Sequence, residues 1–160
     1  MAITFRKIEE RDNKALAGLI RTVFEEFNIE KVGTVYSDPT TDYLSIVFQN
    51  PQSAYWLAEE DGILLGGCGI YPTEGLPDGC VELVKFYLSS ASRGKGIGKE
   101  LMQKSIESAQ QLGYNEVYLE SFPELSTAIG MYEKAGFKAL SGPLGNSGHF
   151  ACNVWMLLVL

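Results

Sequence analysis

The chain has 160 residues, 46% of them hydrophobic and 21% charged, with a net charge of −7. That length and balance fit one globular domain spanning 1–160, large enough to bury a sizeable core. The acidity excludes nucleic acid and anionic membranes as partners, because both require a broad basic surface, and it leans toward a cationic amine as ligand. Residues 1–7 lack the apolar core of a signal peptide, and Ile3 to Ile8 alternates apolar with polar, the pattern of a first strand. Asp12 caps a predicted helix whose Leu16, Leu19, Ile20, Val23, Phe24 and Phe27 form a core-facing stripe. A loop over 28–41, rich in turn formers, leads to a short helix carrying Tyr43, Leu44, Ile46, Val47 and Phe48, ended by Asn50-Pro51.

Two strands follow, Ala54 to Glu59 and Ile63 to Tyr71, joined by Glu60-Asp61-Gly62, a tight hairpin signal. Gly66, Gly67 and Gly69 inside the second strand point either to a bulge or close backbone approach, or to a weakly packed strand. A loop over 72–79 precedes a strand at 81–88, a glycine-rich turn, and a helix from Ile97 to about Leu112 that Gly113 terminates. The rest reads as a strand from Glu116 to Phe122, a helix from Ser126 to Ala135 closed by Gly136, a strand from Phe137 to Ser141, and a loop at 142–148. The last strand runs from about Phe150 to Val159, and its closing apolar run is far too short to span a bilayer. With neither signal nor span, the expected location is cytoplasmic. The order βααβββαβαββ predicts an α/β (α+β) fold, a mixed sheet of about seven strands with about four helices on its faces. Cys68, Cys80 and Cys152 lack metal-ligand spacing and only one histidine accompanies them, so no metal is expected; Cys68 and Cys152 read as small buried packers.

The chemistry concentrates in Ala91 to Leu101, where Gly94, Gly96 and Gly98 alternate with Arg93, Lys95 and Lys99. Glycines there permit backbone angles closed to other residues and let a ligand approach the main chain. The first turn of the following helix offers unpaired N–H groups and the positive end of its dipole. Strand, turn and helix together predict a pyrophosphate cradle. The dinucleotide fingerprint G-x-G-x-x-G fails at Lys99, and the P-loop pattern fails because Glu100 follows Gly98-Lys99.

Arg93-Gly94-Lys95-Gly96-Ile97-Gly98 does fit [RQ]-x-x-G-x-[GA], the acetyl-CoA motif of the GNAT superfamily of N-acetyltransferases. Ala128 to Phe137 resembles that family's A-x-x-[LM]-Y-E-K-x-G-F signature, and Glu82 to Leu88 resembles its central strand. Order and separation agree over nearly the whole chain. The resemblance implies an acetyl-CoA-dependent N-acetyltransferase acting on a primary amine, of a small molecule, by direct transfer in a ternary complex. A non-catalytic acyl-CoA sensor, a protein N-terminal acetyltransferase and a generic nucleotide binder are the alternatives. Relatives are often homodimers; the sequence leaves the oligomeric state open.

By that resemblance, pantetheine lies along the backbone of Phe86, Tyr87 and Leu88, and the pyrophosphate on the N–H groups of Gly94, Lys95, Gly96, Ile97, Gly98 and Lys99, with Arg93 beside them. The Leu88 N–H faces the thioester oxygen, and Tyr132 donates the proton to the leaving sulfur. Glu82 is the preferred base: strand parity with Val84, Phe86 and Leu88 points it to an apolar face, where a carboxyl holds its proton more tightly. Glu120, His149 and an ordered water remain open for that role, and Glu120 and His149 also as pocket walls. Two departures stand out. Leu125 occupies a position where many relatives have an asparagine contacting pantetheine, and Ser90 replaces a common proline.

Overall fold

The computed structural model describes residues 2–29, 36–145 and 153–160. Its elements run β1 (Ile3–Lys7), α1 (Asn13–Glu26), α2 (Leu44–Val47), β2 (Ala54–Glu60), β3 (Ile63–Tyr71), β4 (Cys80–Leu88), α3 (Ile97–Gln111), β5 (Glu116–Ser121), α4 (Ser126–Ala135), β6 (Lys138–Ala139) and β7 (Val154–Val159). The strands form one mixed sheet in the order β1-β2-β3-β4-β5-β7-β6. Among the described residues only β4 and β5 pair in parallel; every other neighbouring pair is antiparallel. This is the predicted fold class and element order. None of the described helices is long and apolar enough to cross a membrane.

The sheet separates two apolar clusters. On one face, Leu101, Met102, Ile106 and Ala109 of α3 and Tyr132 of α4 pack against Val81 and Leu83 of β4 and Val117 and Leu119 of β5. On the other, the α1 stripe of Leu16, Ile20, Val23 and Phe24 meets Tyr55, Leu57 and Tyr87. The stripe is core packing, as its spacing predicted. Asp12 does not cap α1 through its side chain, however. Its carboxylate accepts from Glu9 N–H at 2.8 Å and from both terminal nitrogens of Arg6 at 2.8 Å, so a charged partner has outcompeted the cap.

Asp61 (φ 52°) and Gly62 (φ 77°) make the two-residue turn between β2 and β3, with the positive angles that a twisted hairpin requires. The β3 glycines are sites of close approach. A Cβ on Gly67 would lie 2.6 Å from the Tyr55 ring, and one on Gly69 would lie 2.4 Å from the Ala54 carbonyl. Lying across this bare stretch of backbone, Tyr55 reaches over it and donates its hydroxyl to the Lys85 carbonyl at 2.5 Å.

Lys85 is where β4 changes face. Its φ is 53°, and between the pairs Gly69↔Val84 and Gly67↔Tyr87 the β4 strand carries an extra residue, a bulge. The parity predicted for 82–88 therefore breaks. Phe86 and Leu88 join Val81 and Leu83 on the α3 side, whereas Tyr87 packs with α1. Glu82, alternating with Val81 and Leu83, faces away from Phe86 and Leu88. At the far edge β6 keeps only two residues; Phe137, expected to open that strand, is buried in the core after Gly136 (φ 105°) ends α4. Gly113 (φ 88°) follows α3 as expected. Residues 150–152 of the expected last strand, Cys152 among them, lie outside the described residues. Cys68 and Cys80 are buried.

Candidate active site

The N-terminus of α3 is built for an anion. Gly94 and Gly96 both adopt φ 78°, and space around each is open, so a side chain there would meet no atom but would strain the backbone. The first intrahelical bond runs from Glu100 N–H to Gly96 O at 3.2 Å, which leaves the N–H groups of Ile97, Gly98 and Lys99 pointing outward. Gly98 serves a different purpose. A Cβ there would sit 2.9 Å from Leu88 Cδ1 and 3.3 Å from both Phe86 and Met131, so its absence lets α3 lie close on β4 and α4. Lys95 and Lys99 make no ion pair among the described residues. The cradle fits a diphosphate: bare amides, two uncommitted ammonium groups and a positive helix end.

Arg93 is committed elsewhere. Its guanidinium forms a two-pronged ion pair with Glu26 at the end of α1, donates to Leu88 O at 3.0 Å, and lies 4.8 Å from the centre of the Phe27 ring. It straps α1 to the glycine-rich turn before α3. Nothing local in the sequence signals this partnership, since Glu26 and Arg93 are 67 residues apart. Phe27 and Val23, which read as core, also wall a cavity of about 390 Å³ that runs from the Gly94–Lys99 turn along Phe86, Tyr87 and Leu88 to α4.

β4 and β5 pair only over Cys80–Glu82 against Glu116–Tyr118 and then diverge. Beyond that point no strand among the described residues lies beside β4 on the β5 side. A second, smaller space of about 50 Å³ opens in the divergence, bordered by Glu82, Glu120, Phe122, Leu125 and Tyr132. Glu82 is only 4% exposed and accepts a hydrogen bond from Thr73 Oγ1 at 2.5 Å. Burial pushes its carboxyl up to about 7, with Glu120 adding to the rise and Thr73 and Lys85 opposing it. Such a group exchanges protons at neutral pH. Glu120, on the same face of the neighbouring strand, accepts from Tyr118 Oη at 2.7 Å, and Tyr118 in turn accepts from Leu144 N–H at 3.2 Å.

Tyr132 reaches this space from α4. Its ring packs 6.0 Å from Phe86 and 5.7 Å from Phe137, and burial holds its phenol protonated far above the ordinary range, so it presents a neutral O–H donor. The structure thus brings together Glu82, Glu120, Phe86, Tyr87, Leu88, Gly94 to Lys99 and Tyr132. His149 lies outside the described residues. Sequence reasoning missed Thr73, Val23, Phe27 and Glu26, none of which stands in a motif. No group of His, Cys, Asp and Glu suited to a metal occurs among the described residues.

Known proteins resemble this chain in sequence and in fold. The acetyltransferase (GNAT) family model matches residues 17–137. An uncharacterised N-acetyltransferase of Escherichia coli K12, YjgM, is 39% identical over 153 residues, covering 95% of this chain and 92% of that one. Human N-acetyltransferase 8 is 31% identical over 147 residues, 91% of this chain but 60% of its own. The chain spans about half the length of the mammalian relatives it matches. Among solved structures, a GNAT-family acetyltransferase from Staphylococcus aureus Mu50 superposes with TM-score 0.85 at 20% identity, covering 98% of each chain. The PaiA N-acetyltransferase of Thermoplasma acidophilum, solved with coenzyme A, gives TM-score 0.74 at 22% identity over the full length of both.

Proposed function

The chain belongs to the acetyltransferase (GNAT) family, and on that footing we propose that it moves an acetyl group from acetyl-CoA to the primary amine of a small molecule, directly, within a ternary complex. The observation that carries this reading is the divergence of β4 and β5 beside the N-terminus of α3. It opens a gap along β4 that leads from an anion cradle to a buried carboxyl and a buried phenol.

The thioester supplies an activated acetyl carbon; the rest is positioning and proton transfer. The amides of 94–99, with Lys95 and Lys99, bind the diphosphate. The backbone of Phe86 to Leu88, where β4 borders the divergence, receives the amide-bearing arm as an added strand would be received. The Leu88 N–H steadies the charge that develops on the carbonyl oxygen. Glu82 takes a proton from the amine as the C–N bond forms, and Tyr132 Oη–H delivers one to sulfur as the C–S bond breaks. Glu120 beside Glu82 makes the acceptor side acidic, which draws in a cationic amine; that ammonium passes one proton to solvent before its nitrogen attacks.

Screening a panel of primary amines with acetyl-CoA while following thiol release tests this reading. Release that depends on the amine and yields the acetylated product is expected. A protein that binds acetyl-CoA yet releases thiol at the same background rate with every amine would be a binding module instead.

A further inference from the structure

Thr73 has no part in the chemistry above, yet its hydroxyl is what holds Glu82. Tyr71, the last residue of β3, stands opposite Glu82 on β4. Two residues later the chain turns. Thr73 N–H donates to Tyr71 O at 2.9 Å, which closes a three-residue turn around Pro72. Proline fixes its φ at about −65°, close to what such a turn requires. Leu76 N–H donates to Thr73 O at 3.4 Å, so the Thr73 backbone is tied on both sides. From that fixed point Thr73 Oγ1 donates to Glu82 Oε1 at 2.5 Å.

Among the described residues this is the only hydrogen bond to the Glu82 carboxyl. It pins one oxygen and leaves Oε2 for a ligand. A donated O–H also favours the carboxylate over the acid, whereas burial does the reverse. Burial prevails and lifts the group to about 7, with Thr73 working against it. Of the charged groups nearby, Glu120 on β5 adds to the rise and Lys85 on β4 opposes it. Tyr118 on β5, Tyr132 on α4 and Cys80 on β4 are each kept protonated by burial. The α1 stripe packed on this face of the sheet is apolar. Thr73 is thus the one neighbour that acts on the carboxyl by direct contact among the described residues.

We propose that Thr73 is a positioning residue for the proton transfer, holding Glu82 by Oε1 so that Oε2 takes the proton from the amine as the C–N bond forms. By favouring the carboxylate, the same bond keeps more of Glu82 in its basic form at neutral pH. The inference rests on the reading of Glu82 as base. Thr73 itself is half-buried, so its hydroxyl can be removed without opening a core cavity.

Thr73→Val deletes the hydroxyl and keeps the shape, Thr73→Ala deletes it with less bulk, and Thr73→Ser retains it. Two readouts are compared across these variants. One is the titration of the Glu82 carboxyl carbon by NMR in isotope-labelled protein without ligands, its resonance identified with Glu82→Gln. The other is the pH dependence of kcat/KM with an accepted amine. In Thr73→Val and Thr73→Ala the Glu82 midpoint should move to higher pH. Below about pH 7 kcat/KM should fall about tenfold, the scale of one hydrogen bond to a charged group, and the loss should shrink as pH rises. Thr73→Ser should keep the native midpoint and profile.

A Glu82 midpoint unchanged in both hydroxyl-free variants would overturn the inference and leave the acetyltransferase reading standing. A serine variant that behaves like the valine one would do the same. A midpoint that moves while the rate profile stays put would overturn Glu82 as base, and the role of Thr73 with it. Absence of amine-dependent thiol release at every pH in the native protein would overturn the acetyltransferase reading and this inference together.

Discussion

Two buried ionisable side chains carry the proposed chemistry, and each makes its own prediction. Glu82 titrates near 7 because it is buried, so with Glu82 as base the rate should climb with pH and level off above about 7, and Glu82→Gln should remove that limb. The same shift acts on stability. A carboxyl whose folded value lies above its unfolded one favours the folded state while protonated. That contribution is complete at acid pH and is lost as pH rises from about 4.5 through 7. The melting temperature of the native protein should therefore fall over that interval more steeply than that of Glu82→Gln, as thermal denaturation at several pH values would show. With Tyr132 as the proton donor to sulfur, Tyr132→Phe should lower kcat about a hundredfold with little change in acetyl-CoA affinity. Steady-state kinetics beside calorimetry separates the two. An intact kcat across pH would remove Tyr132 from the proton path.

At the scale of an element, the bulge in β4 decides which face each site residue occupies. It is held from across the sheet, by the Tyr55 hydroxyl on Lys85 O, and Tyr55 reaches that carbonyl only because Gly67 and Gly69 have no side chains. Gly67→Ala should therefore cost about 2 kcal/mol, as overpacking does, and lower activity beyond the loss of folded protein. Denaturant melts paired with specific activity per folded molecule check this. Here the sequence was legible where determinants are local. Asp61-Gly62 names its own turn, and the glycines of 94–98 announce the turn that opens α3. The face of Glu82 was not legible, because alternation assumes an unbroken strand and the break is enforced by a residue 30 positions away. β6 shrank to two residues for a similar reason, its length being set by pairing with β7 rather than by its own composition.

Across the whole molecule, one sheet does two jobs. It seals a core on each face, and it splits between its parallel neighbours, β4 and β5, so that a gap opens along β4 beside the N-terminus of α3. The Arg93–Glu26 pair ties α1 to that corner, which joins one wall of the large cavity to the glycine-rich turn. The account stands or falls on where coenzyme A binds. Titrating the isotope-labelled protein with coenzyme A and following its amide resonances reads this directly. The amides of Gly94 to Lys99, and those of Phe86 to Leu88, should shift and saturate together at one ligand concentration. Saturable binding that leaves these amides unmoved while others shift would contradict it.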